Sequence, residues 1–238
     1  MANLQIAVND TYFRARAVDH GKLAREFFES LAANVFGQAY VYWETYHKFA
    51  GRREIPLLHS ERKLYSTFSS AINAITPVHL SEWPFALPDW ADGDMRVVDF
   101  WCMSRPRETG KALNYFLEVK KGYYCVSNGT DEGLRGDATK KINEAIEQIS
   151  LLKKIKPNWS GHGDVFMAVP VIHGYHSNSR TATFDEEQVV DSIYSMIDRR
   201  LGAQLIASTW TLPDDMDTQW HSKCAFVTIA GIVLTKKR

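Results

Sequence analysis

Three charged side chains stand in two apolar stretches that have the composition of neighbouring strands. Asp99 lies in residues 96–101, and Glu118 and Lys120 lie in residues 114–122, with turn formers and charges between the two stretches. Because side chains two apart on a strand share a face, Glu118 and Lys120 should project side by side. Charge within apolar strands is costly unless it is paired or coordinates a metal, so this trio predicts ion pairing or metal chemistry.

A surface ion pair is the ordinary alternative. Opposite charges at i and i+2 of a strand commonly form exposed pairs worth a few tenths of a kcal/mol. Regular alternation would place Val98 and Phe100 on one face of their strand and Asp99 on the other. An acid in the neighbouring strand favours a shared site over an isolated surface pair.

An Asp followed about twenty residues later by Glu-x-Lys at the end of an apolar strand resembles the PD-(D/E)xK nuclease superfamily. The resemblance covers roughly residues 60–175 and implies an α/β fold, a restriction-endonuclease-like mixed β-sheet core flanked by helices. It implies that Asp99, Glu118 and the backbone carbonyl of Val119 bind a divalent metal, and that Lys120 assists the attacking water. Mg²⁺ is the implied cofactor, and Mn²⁺ should substitute for it.

The resemblance also implies that the chain is a hydrolase of phosphodiester bonds, with DNA favoured over RNA as its partner. A member of the same fold that no longer cuts, and that binds nucleic acid or protein, is the alternative. A metal-independent hydrolase is a third class, which would survive chelation by EDTA. Many members of the superfamily are dimers, so a homodimer is an open expectation, although no dimer seam is legible in the sequence.

A helix preceding the first of these strands supplies another acid. Ser60 offers a cap for a helix that runs to about residue 75, and Glu61 lies one turn before the apolar stripe of that helix. By resemblance, an acid in this position implies a further metal ligand. The alternative is that Glu61 complements the helix dipole from the first turn.

A long helix is predicted over residues 137–156, after the Glu-x-Lys strand. Gln148 borders its apolar stripe. Some families of the superfamily carry a Gln in this helix with a Tyr four residues later, which implies a site role for Gln148. Position 152 is Leu, so half of that pattern is present, and the alternative is a solvated helix residue.

Other candidate sites are weaker. Asp89 follows Pro88 in a loop rich in Pro, Gly and Asp and is a fallback for the Asp99 role. His173 and His176 are three apart near a strand end, where pleating would place them on opposite faces, which disfavours a zinc site. Asp99 and Glu118 could form the acid pair of a glycosidase, but Lys120 would then have no role.

The remaining chain predicts an N-terminal helical region, residues 1–58, packed on a nuclease core, residues 59–238. Elsewhere we expect a helix over residues 20–36, a second helix over residues 39–49, a loop with room for a short strand over residues 76–95, a loop over residues 127–136, a doubly buried strand over residues 164–172, a helix to about residue 201 opened by a capping box at residues 183–186, and strands over residues 204–212 and 225–235.

Composition limits the class of protein. The 238 residues, 45% of them hydrophobic, indicate a globular chain with a sizeable core. Lys and Arg balance Asp and Glu, 28 against 28, so any phosphate-binding surface must come from local clustering. Three cysteines without CxxC spacing and the lack of a signal peptide predict a cytoplasmic protein. The longest apolar run, residues 225–234, is too short to span a bilayer, so no membrane partner is expected.

Overall fold

The computed structural model forms one mixed β-sheet with helices on both of its faces. It describes residues 9–15, 21–51, 54–86, 95–105, 110–127, 130–134, 136–155, 163–176, 186–196, 203–212 and 223–234. The helices are α1 (Gly21–Ala50), α2 (Glu61–Ile75), α3 (Gly136–Ile155) and α4 (Glu186–Met196), with a 3-10 turn at Pro56–Leu58. The strands are β1 (Asn9–Ala15), β2 (His79–Ala86), β3 (Met95–Ser104), β4 (Leu113–Ser127), β5 (Thr130–Leu134), β6 (Gly163–His176), β7 (Ala203–Thr211) and β8 (Lys223–Leu234).

The strand order of the sheet is β1-β7-β8-β6-β4-β3-β2, with β5 paired to β4. Strands β4 and β6 are parallel, and the other described pairs are antiparallel. A parallel pair needs a long crossover, and α3 supplies it between β4 and β6. The predicted α/β class with a mixed sheet flanked by helices and an N-terminal helix is therefore confirmed.

Two apolar layers cover the sheet. On the face that we call the first, α1 and α2 pack on the sheet, as when Phe27 stacks on Tyr115 at 3.9 Å between ring centroids. On the second face, α3 and α4 pack through residues such as Ile149 and Val189. The doubly buried strand predicted near residue 168 is β6, whose side chains enter both layers.

The N-terminal helix differs from its prediction. Two helices, over residues 20–36 and 39–49, were expected, but α1 runs without a break from Gly21 to Ala50. A helical Gly such as Gly37 costs only ~1 kcal/mol relative to Ala. Phe36 and Ala39, on either side of it, are both fully buried, and that packing outweighs the cost.

Strands β1 and β5 were not expected, and β2 was anticipated only as an optional short strand within the first loop. β1 pairs antiparallel with β7 at one edge of the sheet, and β2 forms the opposite edge within residues predicted as a loop. β5 pairs with β4 in the segment predicted as the second loop. Pro84 lies in β2, where an edge strand tolerates the missing N–H.

Several boundaries agree with the sequence. α2, α3, β6, β7 and β8 begin and end within a few residues of their predicted limits. Ser60 stands at the N-terminus of α2 but makes no side-chain capping bond there. Residues 183–185 of the predicted capping box lie outside the described residues. So do residues 197–201, the predicted end of the last helix. The division at residue 58 stays a prediction.

None of the helices in the described ranges is long and apolar enough to cross a membrane.

Candidate functional site

Strands β3 and β4 separate at Asp99 and Glu118. Their backbone pairing ends at Phe100 opposite Leu117. Beyond this pair, Oδ2 of Asp99 accepts a hydrogen bond from the N–H of Val119 at 2.7 Å. The N–H of Asp99 donates in turn to Oε2 of Glu118 at 3.4 Å. Two carboxylates therefore take the places that backbone carbonyls hold in a regular ladder.

The alternation of β3 also breaks at Asp99. Val98 packs in the layer of the second face and Phe100 in that of the first, so the expectation that they share a face is wrong. Glu82, which stands opposite Asp99 between the flanking pairs of β2 and β3, has a φ of 52°. A positive φ is uncommon for a residue other than Gly and marks a local distortion of β2. Both strands are thus irregular at the site.

The ammonium of Lys120 lies among three carboxylates. Its Nζ is 2.6 Å from Oε1 of Glu118, 3.3 Å from Oε1 of Glu61 and 3.8 Å from Oδ2 of Asp99. It also donates to the carbonyl of Val119 at 3.4 Å. Glu118 is only 1% exposed, which is incompatible with an ordinary surface pair. Three acids against one amine leave an excess of two negative charges when all are ionised.

The burial of this cluster sets its protonation. Burial, and next the charge of Asp99, raises the pKa of Glu118 to about 7, although Lys120 opposes the shift. Burial also raises the pKa of Asp99 above its ordinary value. For Lys120, burial alone would lower the pKa, but the surrounding carboxylates together outweigh it and raise the pKa. Lys120 is therefore a charged donor at neutral pH and not a base.

Gln148 reaches the site from α3, on the second face. Its Nε2 donates to Oε2 of Glu118 at 2.9 Å and also to the carbonyl of Val97. α3 also packs closely on β4 near the N-terminus of the helix, where a Cβ at Gly122 would fall 2.8 Å from the Cβ of Ala138. One amide thus spans the gap between the separated strands and holds the carboxylate of Glu118 in place.

Leu152, where some families carry Tyr, is 1% exposed in the layer of the second face. It is a core residue, and nothing in its position adds to the site.

Tyr65 is a site residue that sequence reasoning missed. Its hydroxyl donates to Oδ1 of Asp99, and its ring meets Phe100 edge-on at 5.4 Å between centroids. Burial, followed by the hydrogen bond to Asp99, raises the pKa of Tyr65, so the phenol stays protonated. A usable signal was present in the sequence. Tyr65 lies four residues after Glu61, and such residues share a helix face.

The donor set fits a hard divalent cation in its chemistry. The carboxylates of Asp99, Glu118 and Glu61 and the carbonyl of Val119 offer oxygen alone, which Mg²⁺ and Mn²⁺ prefer. These oxygens already surround one cation, the ammonium of Lys120. In the described part of the chain, no group of three or more His, Cys, Asp or Glu side chains is arranged to hold a metal ion. Binding therefore requires the carboxylates to exchange protein donors for the ion.

Of the remaining sequence candidates, His173 does not join this cluster. His173 is 2% exposed and meets Tyr123 edge-on at 5.7 Å between ring centroids. Burial lowers its pKa well below the ordinary value. The side chain of His176 and the whole of Asp89 lie outside the described residues.

No protein-family model matches the chain, and no curated protein matches it significantly.

Proposed function

We propose that this protein is a nuclease that depends on a divalent metal, Mg²⁺ or Mn²⁺, and hydrolyses phosphodiester bonds, most readily in DNA. The observation that carries the proposal is the convergence of Glu118, Asp99 and Glu61 on Lys120, within 2.6–3.8 Å of its Nζ. A buried excess of negative charge is costly, and a divalent cation would neutralise it.

The fold supports the proposal. The site lies where two interior strands of a mixed sheet, β3 and β4, separate, with helices on both faces contributing side chains. A restriction-endonuclease-like topology is part of the proposal. It rests on the order of the acid-bearing strand, the Glu-x-Lys strand and the crossover helix that leads to a parallel strand.

Each side chain has a role in the proposed reaction. Asp99, Glu118 and the carbonyl of Val119 would hold the metal, with Glu61 as an additional ligand. When bound, the metal supplies water activated at neutral pH and neutralises charge on the phosphate and the leaving oxygen. Lys120, which stays protonated, donates to the attacking water or to a phosphate oxygen that gains charge in the transition state.

The protein's other contacts keep these groups in place. Gln148 orients Glu118 through its 2.9 Å hydrogen bond, and Tyr65 orients Asp99 through its hydroxyl. Partners that orient metal ligands typically change affinity or activity by ~10–100-fold when removed.

The test is cleavage of end-labelled nucleic acid. Single- and double-stranded DNA and RNA are incubated with the purified protein in Mg²⁺, in Mn²⁺ and in EDTA. We expect cleavage of at least one DNA substrate with either metal and none in EDTA. Cleavage that persists in EDTA would indicate the metal-independent class. No cleavage of any substrate with either metal would refute the proposal.

A non-cutting member of the same fold is the second candidate. The observation that favours it is that all four carboxylate oxygens of Asp99 and Glu118 already accept hydrogen bonds from the protein. Such a cluster is satisfied without a metal. A binding module of this kind would show no rise in melting temperature with Mg²⁺ or Mn²⁺, whereas a metal site in the folded protein would.

A further inference from the structure

A second lysine, Lys121, follows the site lysine and is itself buried, with 6% exposure. Its Nζ donates to the carbonyl of Leu58 at 2.7 Å and to the carbonyl of His59 at 2.6 Å. The ammonium also lies 5.0 Å from the centroid of the Tyr123 ring, a favourable cation–π position. Lys121 is therefore bound on several sides, and two of its hydrogen bonds join β4 to a segment about sixty residues earlier.

Those two carbonyls need a donor. They lie at the end of the 3-10 turn Pro56–Leu58, and the last carbonyls of a helix have no partner within it. A cation is favoured at this end of a helix. Burial nevertheless makes the ammonium costly, as its pKa, lowered to about 8 mainly by desolvation, indicates. A buried apolar side chain would avoid this cost, but it would leave both carbonyls without that donor.

The clamped segment leads directly into the site. The carbonyl of His59 is followed by Ser60 and then by Glu61, the first residue of α2. Successive side chains of a strand start on opposite faces. Even so, both lysines contact residues 58–61. Lys121 binds the carbonyls of Leu58 and His59, and Nζ of Lys120 lies 3.3 Å from the carboxylate of Glu61.

We infer that Lys121 is a positioning residue: by holding the carbonyls of Leu58 and His59, it fixes the first turn of α2 and sets Glu61 against Lys120. The catalytic consequence of this clamp rests on the proposed nuclease function. Its structural consequence does not.

Amide hydrogen exchange tests the clamp without any assay of activity. In Lys121→Met, the hydrogen-bonded amides of residues 63–65 in the first turns of α2 should exchange at least several-fold faster than in the wild type, while those of α3 keep their rates. Lys140→Met, which removes an exposed lysine of α3, is the matched control and should leave both regions unchanged. If Lys121→Met does not fold, Lys121→Gln, which is shorter and cannot hold both carbonyls, takes its place. Wild-type rates at residues 63–65 in the folded variant would overturn the inference.

A double-mutant cycle tests the link to Glu61. Cleavage rates are measured for Glu61→Gln, Lys121→Met and the double variant. If Lys121 acts through Glu61, the double variant loses no more of kcat than Glu61→Gln alone. Multiplying losses would overturn that link. Lys121→Arg, which keeps a cation with several donors, should restore part of the rate.

The two tests separate the inference from the proposed function. If the wild type cleaves no substrate, the proposed nuclease function is refuted. Hydrogen exchange then still tests the positioning role of Lys121, because it does not depend on activity.

Discussion

Oδ2 of Asp99 accepts a 2.7 Å hydrogen bond from the backbone N–H of Val119, across the gap between β3 and β4. A side chain therefore completes a bond that the ladder of the sheet leaves open at this point. The same carboxylate is 3.8 Å from the ammonium of Lys120. The carboxylate of Asp99 thus takes part both in the separation of the two strands and in the charged cluster, so we expect substitutions at Asp99 to affect both.

Replacement of Tyr65 by Phe tests the missed site residue. Tyr65→Phe removes the hydroxyl that donates to Asp99 but keeps the ring against Phe100. We expect cleavage to fall by ~10-fold or more, because Asp99 loses an orienting partner, with little change in melting temperature. Steady-state kinetics beside thermal unfolding provide the measurement. A rate equal to that of the wild type would remove Tyr65 from the site.

Replacement of Lys120 by Met separates charge from metal binding. The variant loses the donor to the transition state, so the rate should fall by ~10²–10³-fold. It also removes the cation that competes for the carboxylates, so Mn²⁺ should bind at least as tightly as to the wild type. Titration calorimetry with Mn²⁺ measures this affinity, and Lys140→Met is the control at an exposed lysine. A parallel loss of affinity and rate would show that Lys120 serves the fold of the site and not the chemical step.

Gln148→Leu removes the amide that spans the separated strands. The buried Oε2 of Glu118 loses one of its two donors, which costs up to the ~1–3 kcal/mol typical of a buried unsatisfied group, whereas the carbonyl of Val97, in a residue that is 40% exposed, can be hydrated instead. We expect a lower free energy of unfolding and a ~10–100-fold slower reaction. Glu147→Gln, at the exposed neighbouring position, should change neither quantity. Equal behaviour of the two variants in urea unfolding and in cleavage would make Gln148 a solvated helix residue.

The stability of the metal-free protein should depend on pH through Glu118. Its pKa of about 7 in the folded state exceeds the ordinary value of 4.5, so the folded state binds this proton more tightly than the unfolded state does. The resulting stabilisation is complete below about pH 4.5 and is lost as the pH rises to about 7. Glu118→Gln has no such proton to lose. Urea unfolding should therefore show that, between pH 5 and pH 8, the free energy of unfolding of the wild type falls relative to that of Glu118→Gln by on the order of 2–3 kcal/mol. Parallel pH profiles would contradict this assignment.

The local pattern of apolar residues in the sequence predicted the helices and strands that carry the site. The apolar periodicity of α2 and α3 and the composition of β3, β4 and β6 were sufficient to place Asp99, Glu118 and Lys120 on two neighbouring strands. β1 was missed, and β2 was anticipated only as an optional short strand, because an edge strand takes its stability from its partner and its own composition need not be that of a buried strand.

The irregular features of the site were beyond sequence reasoning. A period-two pattern assumes an unbroken strand, and β3 changes face at Asp99. The contact of Tyr65 with that carboxylate, and the span of Gln148 to the carbonyl of Val97, depend on this break. Lys121 was hidden for another reason, since its partners are backbone carbonyls, which leave no trace in residue types.

The most direct measurement of the central claim is the rate at which Asp99→Asn and wild-type protein cleave the preferred nucleic acid in Mg²⁺. We predict cleavage by the wild type that EDTA abolishes, and a rate at least ~10²-fold lower for a folded Asp99→Asn, since one metal-binding charge is lost. Equal rates for the two proteins, or a wild type that remains inactive with both Mg²⁺ and Mn²⁺, would contradict the account.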